Sequence, residues 1–523
     1  MELRFQTPTV ADSGRYHRLS RAEQWQPGET AVIVCDMWDA HHCLNAVRRV
    51  NELAPRIEQF TQSLRGDGVT IIHAPSSCME AYQKHAARLR SIAMPSAASV
   101  PEDIASWCDQ IPAEETIAYP LDQADGGEDD DLDEHSLWAA QLQASGRDPR
   151  APWVAQCAAI TIDEQTDYIS DSGVEIWNIL EGRKIRNVIL VGVHTNMCVL
   201  GRPFGLRRLA TAGKNVVLAR DLTDTMYDPR AWPYASHFTG TDLIVQHIER
   251  YVCPTISSGQ ILGDAFRFSG DQRPRLVMLI SEDEYKTEES LPKFAAKHLS
   301  QHFSVSTIYS RDGEPNQLES LAEIQSADAM LVSVRRRTLP AADLEMIRAF
   351  VRSGRPMIGI RTASHAFSLR NAQPAVGLAV WPEFDAEVWG GSYTNHYGNQ
   401  LSSTLSIVEP APPHPILSAI GPLTIMPGGS LYKTAPLAAG TQALLMGAVA
   451  GEQPEPVAWT YVRRDGGRSF YTSLGHVDDF AQPPFEALLS AGIHWACGLE
   501  PHALQEVEQQ NKRYATGQGR QRK

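Results

Sequence analysis

Two stretches of this chain set a chemically active side chain directly after an apolar run of strand length. In one, Val188 to Val191 with Val193 form the run, His194-Thr195-Asn196-Met197 makes a polar turn, and Cys198 opens a helical pattern. Val199, Phe204, Leu206 and Leu209 supply the apolar face of that helix, and Gly213 fits the position just past its end. Backbone N–H groups and the positive end of a helix dipole favour a thiolate, the nucleophilic form of cysteine, and the same N–H groups can hold an oxyanion. In the other stretch, Ala31 to Cys35 reads as a buried strand ending on Asp36, so a carboxylate stands where open α/β sheets place their ligand crevice. The plainer reading of Cys198 alone is a buried structural cysteine.

Together the two stretches resemble the isochorismatase-like cysteine hydrolases, the family that includes nicotinamidases. The resemblance rests on the strand ending in Asp36-Met37 and, more specifically, on Gly192-Val193-His194-Thr195-Asn196-Met197-Cys198-Val199; it covers roughly residues 27–256. It implies Cys198 as nucleophile and Asp36 as general base, with an oxyanion hole of backbone N–H groups beside a cis peptide preceding His194. The implied activity is hydrolysis of a small-molecule amide or related C–N bond through a thioester. His194, Thr195, Met197, Trp38 and the crevice-edge His73 are candidates for the substrate and oxyanion pocket.

One position departs from the family pattern. The triad lysine that precedes the cysteine is missing from Ala158 to Asp171, AAITIDEQTDYISD. Its loss removes a cation that keeps the carboxylate ionised and favours the thiolate. Lys84 could take its place only if the segment after His73 folds back over the crevice. The alternative to a hydrolase is therefore a catalytically impaired module that binds a small molecule or carbohydrate.

Asp39 and His41 have the Asp-x-His spacing of a divalent-metal element, although the family places that element at a later junction; no other cofactor is expected. Leu53, Ile57, Phe60 and Leu64 predict a helix over 51–64, and Thr70 to His73 the next strand. From Ser76 to Trp153 the α/β rhythm is lost. This insertion is expected to cover the crevice, with the acidic run Glu128 to Asp131, Asp133 and Glu134 as a solvated, flexible part of it. Asn215 to Ala219 and a helix from His237 close the first domain, 1–256, and the polar stretch 257–273 reads as a linker.

A second α/β rhythm follows in 274–502. Strands are predicted at Leu276 to Ile280, Val305 to Tyr309, Ala329 to Val334 and Pro356 to Ile360, with a helical stripe of Leu344, Ile347, Phe350 and Val351. From Gly359-Ile360-Arg361-Thr362-Ala363-Ser364-His365 onward the residues resemble the ThuA-like domain of trehalose-utilisation proteins, relatives of class I glutamine amidotransferases. Trp389-Gly390-Gly391 with His396, His414-Pro415-Ile416, Leu431-Tyr432 and Tyr471 to His476 carry the same resemblance. Arg361 occupies the elbow where an amidotransferase needs its cysteine, which excludes glutamine hydrolysis. Arg361, His365, His396 and His476 remain as the rim of a crevice for a sugar or an anion.

The expected fold is therefore α/β: two doubly wound parallel-sheet domains of three αβα layers, the second flavodoxin-like, with a frayed tail over 503–523. At 523 residues the chain exceeds one core, and 43% hydrophobic with 21% charged residues suits ordinary globular domains. A net charge of -15 disfavours nucleic acid and anionic membrane as partners. A small-molecule substrate and a carbohydrate are the partners expected, with self-association into a homo-oligomer left open. Eight cysteines without a CxxC pair, no signal-peptide core in Met1 to Thr30 and no run of eighteen apolar residues point to a reducing, cytoplasmic setting.

Overall fold

The structure, a computed structural model, describes residues 1–409 and 413–504. It divides into two compact units: residues 1–7 with 19–272, and residues 8–18 with those from 273 onward. Both are mixed α/β with large sheets that are parallel at their centres.

The first sheet has eight strands: β1 (Glu2–Pro8), β2 (Tyr16–Ala22), β3 (Thr30–Cys35), β4 (Thr70–Ala74), β5 (Tyr168–Ile169), β6 (Asn187–Val193), β7 (Asn215–Asp224) and β8 (Thr255–Ile256). Their order is β2-β1-β8-β7-β6-β3-β4-β5. The run from β8 to β5 is parallel, and β1 joins it antiparallel. Every residue of β3 and β6 is buried, as two covered faces require. Val32, Val34, Ile189 and Val191 meet Leu53, Ile57, Phe60 and Leu64 of α1 (Leu44–Gly66) on one face. On the other, Ile33 and Leu190 meet Ile176, Leu209, Ile244 and Ile248 from three further helices. The chain runs from β3 out to β4 and β5, then returns to β6 on the opposite side of β3. That reversal opens a crevice at the carboxyl ends of β3 and β6, where Asp36 and the His194–Cys198 turn emerge.

The insertion departs from expectation in its acidic run. Asp129 and Asp130 are packed rather than solvated. Asp130 accepts hydrogen bonds from Leu44 N at 2.8 Å and Asn45 N at 2.7 Å, capping α1, which has no side-chain cap of its own at Cys43. Asp129 pairs with Arg49 at 2.8 Å, and Arg49 continues to Asp224 at 2.7 Å. The acids are consecutive because they answer a helix N-terminus and a buried guanidinium, a demand invisible in the local sequence. The stretch 257–273 likewise differs from a plain linker: Gly259–Leu262 is helical, and Ile261, Phe266 and Phe268 pack against the first core. Of the tail expected to fray, residues 505–523 lie outside the described residues. Among the described residues no helix is long and apolar enough to cross a membrane.

The second sheet is nine-stranded. Five parallel strands form its centre: β9 (Arg275–Ser281), β10 (Ser304–Arg311), β12 (Ala329–Val334), β14 (Met357–Ile360) and β21 (Arg468–Thr472), ordered β10-β9-β12-β14-β21. β20 (Glu455–Val462), β19 (Thr441–Ala448) and β17 (Thr404–Ile407) extend it antiparallel beyond β21, and β11 (Glu314–Leu318) closes the other edge. Two-residue strands pair as β13 (Leu339–Pro340) with β15 (Leu378–Ala379), and β16 (Asn395–His396) with β18 (Tyr432–Lys433). Leu276, Met278 and Ile280 face Leu291, Phe294, Phe485 and Leu488, while Val277 and Leu279 face Leu344, Ile347 and Phe350.

The docked acidic run is testable. Asp130→Ala should cost about 1–2 kcal/mol in urea unfolding, the usual worth of a helix cap. A solvated loop residue would cost under about 0.5 kcal/mol, and such a result would return the run to solvent.

Candidate functional site

Asp36 leaves β3 in a left-handed conformation (φ 49°) and has no solvent exposure. Its carboxylate has three neighbours. Ser76 N donates to Oδ1 at 2.8 Å, Arg202 Nε donates to Oδ2 at 3.0 Å, and Cys198 lies close enough for thiol and carboxylate to act on each other electrostatically. Arg202 therefore supplies the cation that the missing lysine would have supplied; Lys84 is exposed and takes no part.

Arg202 reaches this spot because of the turn. The Val193–His194 peptide is cis, and Thr195–Val199 winds as a single π-helical turn. Arg202 N bonds to Cys198 O at 3.0 Å, so Arg202 stands one turn beyond the cysteine and on its side of the crevice. Gly201 lets the indole of Trp107 close over it: a Cβ there would lie 2.5 Å from the ring. The guanidinium sits 5.5 Å from that ring's centroid, a cation–π contact that keeps it facing Asp36. An arginine four residues after the cysteine was the sequence signal for this partner.

Electrostatics follow from burial. Burial pushes the Asp36 carboxyl above its ordinary value, with Arg202 and the Ser76 N–H opposing. Burial also pushes the Cys198 thiol well up, the Asp36 carboxylate adds to this, and Arg202 opposes. The expected helix-dipole stabilisation of a resting thiolate is thus outweighed: one π-helical turn carries little dipole, and Cys198 is only 8% exposed.

The remaining candidates separate. Trp38 donates Nε1–H to Ser76 O and stacks on Trp153 at 4.7 Å; His41 stacks on both indoles and meets His194 edge-on at 4.9 Å. The rings of Trp38, His41 and His194, with Ala40, Val47, Val50 and Val193, line a cavity of about 10 Å³, the size of roughly one water. Burial lowers His194 to about 4, partly offset by Asp224, so the ring is neutral at pH 7; its Nε2 is buried without a partner. Thr195 gives its hydroxyl to Thr223 at 2.7 Å, and Met197 is half-buried beside the turn. His73 does not line the crevice. Its two ring nitrogens are taken by Gln156 and Asp167, each at 3.0 Å, because it lies on the α1 side of β4 with Ile71. Asp39 and His41 do not form a metal pair either: Asp39 is held by Arg147 at 2.9 Å and by Val154 N, while His41 Nδ1 accepts Cys43 N–H. Ser76, Trp107 and Trp153, all from the insertion, are site residues that sequence reasoning missed, since their partners lie far along the chain.

In the second unit, Arg361 follows β14 at φ 42° and is 3% exposed. Tyr285 and Tyr432 cover its two faces at 4.4 and 4.7 Å. His365 stacks on Tyr393 at 4.5 Å, His476 meets Tyr285 edge-on at 5.6 Å, and His396 lies 6.4 Å from Tyr432. The four predicted rim residues thus gather around a set of tyrosines. Asp385 is also here, with Oδ2 accepting Tyr393 N at 2.6 Å and Oδ1 buried without a partner.

Residues 276–496 match the family model for ThuA, trehalose utilisation. No curated protein matches the chain in sequence. Among solved structures, a cysteine hydrolase from Pseudomonas syringae pv. phaseolicola 1448A is similar at 15% identity, covering 46% of this chain and 94% of its own, with a TM-score of 0.28. A putative ThuA-like protein from Parabacteroides merdae ATCC 43184 is similar at 14% identity, covering 44% of this chain and 92% of its own, with a TM-score of 0.32.

Burial raises the Asp385 carboxyl from 3.8 to about 7. A carboxyl whose value is raised by folding stabilises the fold while protonated, below its ordinary value, and that stability is lost as pH rises through about 7. Asp385→Asn, neutral throughout, should remove a loss on the order of a few kcal/mol from the second unit's stability between about pH 4 and 8. Urea unfolding across that range checks it; an unchanged pH slope would mean the carboxyl ionises freely in place.

Proposed function

We propose that the first unit is an isochorismatase-like cysteine hydrolase acting on an amide or related C–N bond of a small molecule. One observation carries the reading: Arg202 stands 3.0 Å from the Asp36 carboxylate, and Cys198 lies beside that carboxylate. The nucleophile, its base and a fixed cation are then present together, although the cation comes from a different element than the family pattern predicts.

The reaction proceeds as a shared-proton cycle. As the Cys198 sulfur attacks the carbonyl carbon, its proton passes to Asp36, and the C–S bond forms as the carbonyl electrons move to oxygen. The backbone N–H groups of the His194–Cys198 turn would donate to that oxyanion. Collapse breaks the C–N bond, and Asp36 returns the proton to the leaving nitrogen. Water then attacks the thioester, Asp36 takes its proton, and the departing sulfur recovers it. Arginine does not surrender a proton near neutrality, so Arg202 acts only by charge, keeping Asp36 ionised between transfers. The aromatic walls Trp38 and Trp153 with neutral His41 and His194 suit an uncharged, flat substrate portion over a cation.

A binding module without turnover is the second reading. It is favoured by the upward shift of both Asp36 and Cys198, which makes the resting thiol unreactive.

Hydrolysis of a panel of small amides separates the two. Arg202→Gln should lower kcat/KM by about 10²–10⁴-fold, the usual scale of general acid–base catalysis, while Arg202→Lys retains part of it. The sign of the pH effect is fixed: Asp36 must be ionised to act as base, and Arg202 holds its pKa down, so Arg202→Gln should move the acid limb of the rate profile to higher pH. No turnover by the parent enzyme, with Cys198 alkylated no faster than Cys78 or Cys108, would leave the binding module.

A further inference from the structure

We propose that the crevice at the strand ends of the second unit binds a small oxyanion, a carboxylate or phosphate, whose carrier lies against the tyrosine faces. The argument starts from a buried charge without a counter-ion. Arg361 donates to Ser473 O at 2.8 Å and Ser430 O at 3.5 Å, and its Nε has no partner. Among the described residues no carboxylate forms an ion pair with it. Asp479, the acid that bears on it electrostatically, is occupied by the N–H groups of Gly428, Gly475 and His476. Gly429 is pressed so close that a Cβ would lie 2.2 Å from the guanidinium, so the loop 427–431 holds the group in place. A guanidinium enclosed by carbonyls and ring faces is costly unless something anionic approaches it.

The mouth of the crevice repeats the pattern. Arg335, Arg336 and Arg337 follow β12, beside β9 at the point where the strand order reverses. Arg335 pairs with Glu284 at 2.7 Å and Arg337 with Asp283 at 3.6 Å, so two of the three are neutralised. Among the described residues, the half-buried Arg336 guanidinium has Ser368 O at 3.3 Å as its hydrogen-bond partner and no carboxylate in an ion pair. His365, between Arg336 and Arg361, is pulled down to about 2 first by burial and then by arginines 336, 335, 370 and 361, which reports a strongly positive local field. The surplus thus includes two guanidinium groups flanking the tyrosines, Arg361 and Arg336, with the exposed Arg370 adding to the same field. Paired arginines with ring faces match an oxyanion on a compact, partly apolar body.

Calorimetric titration of the full chain with sodium phosphate, sodium gluconate and neutral glucose, at constant ionic strength, tests this. Saturable binding of phosphate or gluconate, but not glucose, supports the site, and whichever binds more tightly identifies the oxyanion. Arg336→Gln, at the rim where folding is least at risk, should weaken that binding by at least about tenfold. Arg361→Lys keeps the charge and loses the planar fork, and should weaken it further. Heat from neither anion, glucose binding equally well, or full affinity in Arg336→Gln would each overturn the proposal. Activity at Cys198 does not enter any of these readouts.

Discussion

A carboxylate sealed from solvent at the end of a parallel strand must be matched on every lone pair it exposes. Asp36 meets that demand with one N–H and one guanidinium, with the Cys198 thiol beside it, and the three come from separate parts of the first unit. Ser76 opens the insertion, Arg202 lies past the π-helical turn, and Cys198 lies within it. The insertion, the turn and the packing of Trp107 over Arg202 are therefore tied to one charge. Removing any of them leaves Asp36 buried and underpaired, which costs more than the lost contact alone.

The same solution recurs away from the crevice. Arg65 pairs with Asp167, which also holds His73; Arg207 pairs with Glu114, which also holds His247; Arg49 pairs with Asp224, which also holds His237. Each is an arginine, an acid and a histidine, buried together. In each the acid is kept ionised: Glu114 and Asp167 fall to about 2 despite burial, because a guanidinium and an imidazole act against it. Glu114 belongs to the insertion and Arg207 and His247 to helices on the sheet, so this network pins the insertion as firmly as an apolar core contact would. A segment of prolines and acids with little periodicity is thereby held in one place.

Much of the fold was legible because it rests on runs of β-branched and apolar residues. Strands at 31–35, 188–193 and 329–334 announce themselves as uninterrupted buried runs, and α1 as a stripe of Leu53, Ile57, Phe60 and Leu64. Asp36 and Cys198 were legible for a related reason: strand ends in a doubly wound sheet converge at the reversal of strand order. What sequence could not supply was the identity of long-range polar partners. His73 was placed at the crevice edge because it ends a strand run, yet the period-two alternation of β4 turns it toward α1 and Asp167. The acidic run looked solvated because nothing nearby in sequence offered it a cation; its partners, Arg49 and the N-terminus of α1, lie about eighty residues earlier, as the separations of 80 and 86 show. Arg202 was in plain view, but an arginine four residues beyond a cysteine gains meaning only once the π-helical turn fixes which way it points.

The two units differ at one buried arginine, Arg361, and the contrast bears on what each crevice is for. In the first, the buried or half-buried guanidinium groups of Arg49, Arg65, Arg202 and Arg207 each meet a carboxylate within 3.0 Å, so the protein completes its own electrostatics. In the second, Arg361 takes the elbow position after β14, a left-handed turn at the centre of the sheet, and meets only carbonyls and ring faces. Cation–π contact and carbonyl acceptors lower the cost of such a charge without cancelling it. A fold that neutralises buried arginines elsewhere and leaves this one uncompensated, with a half-buried Arg336 above it, has kept positive charge at the position where α/β sheets receive their ligands.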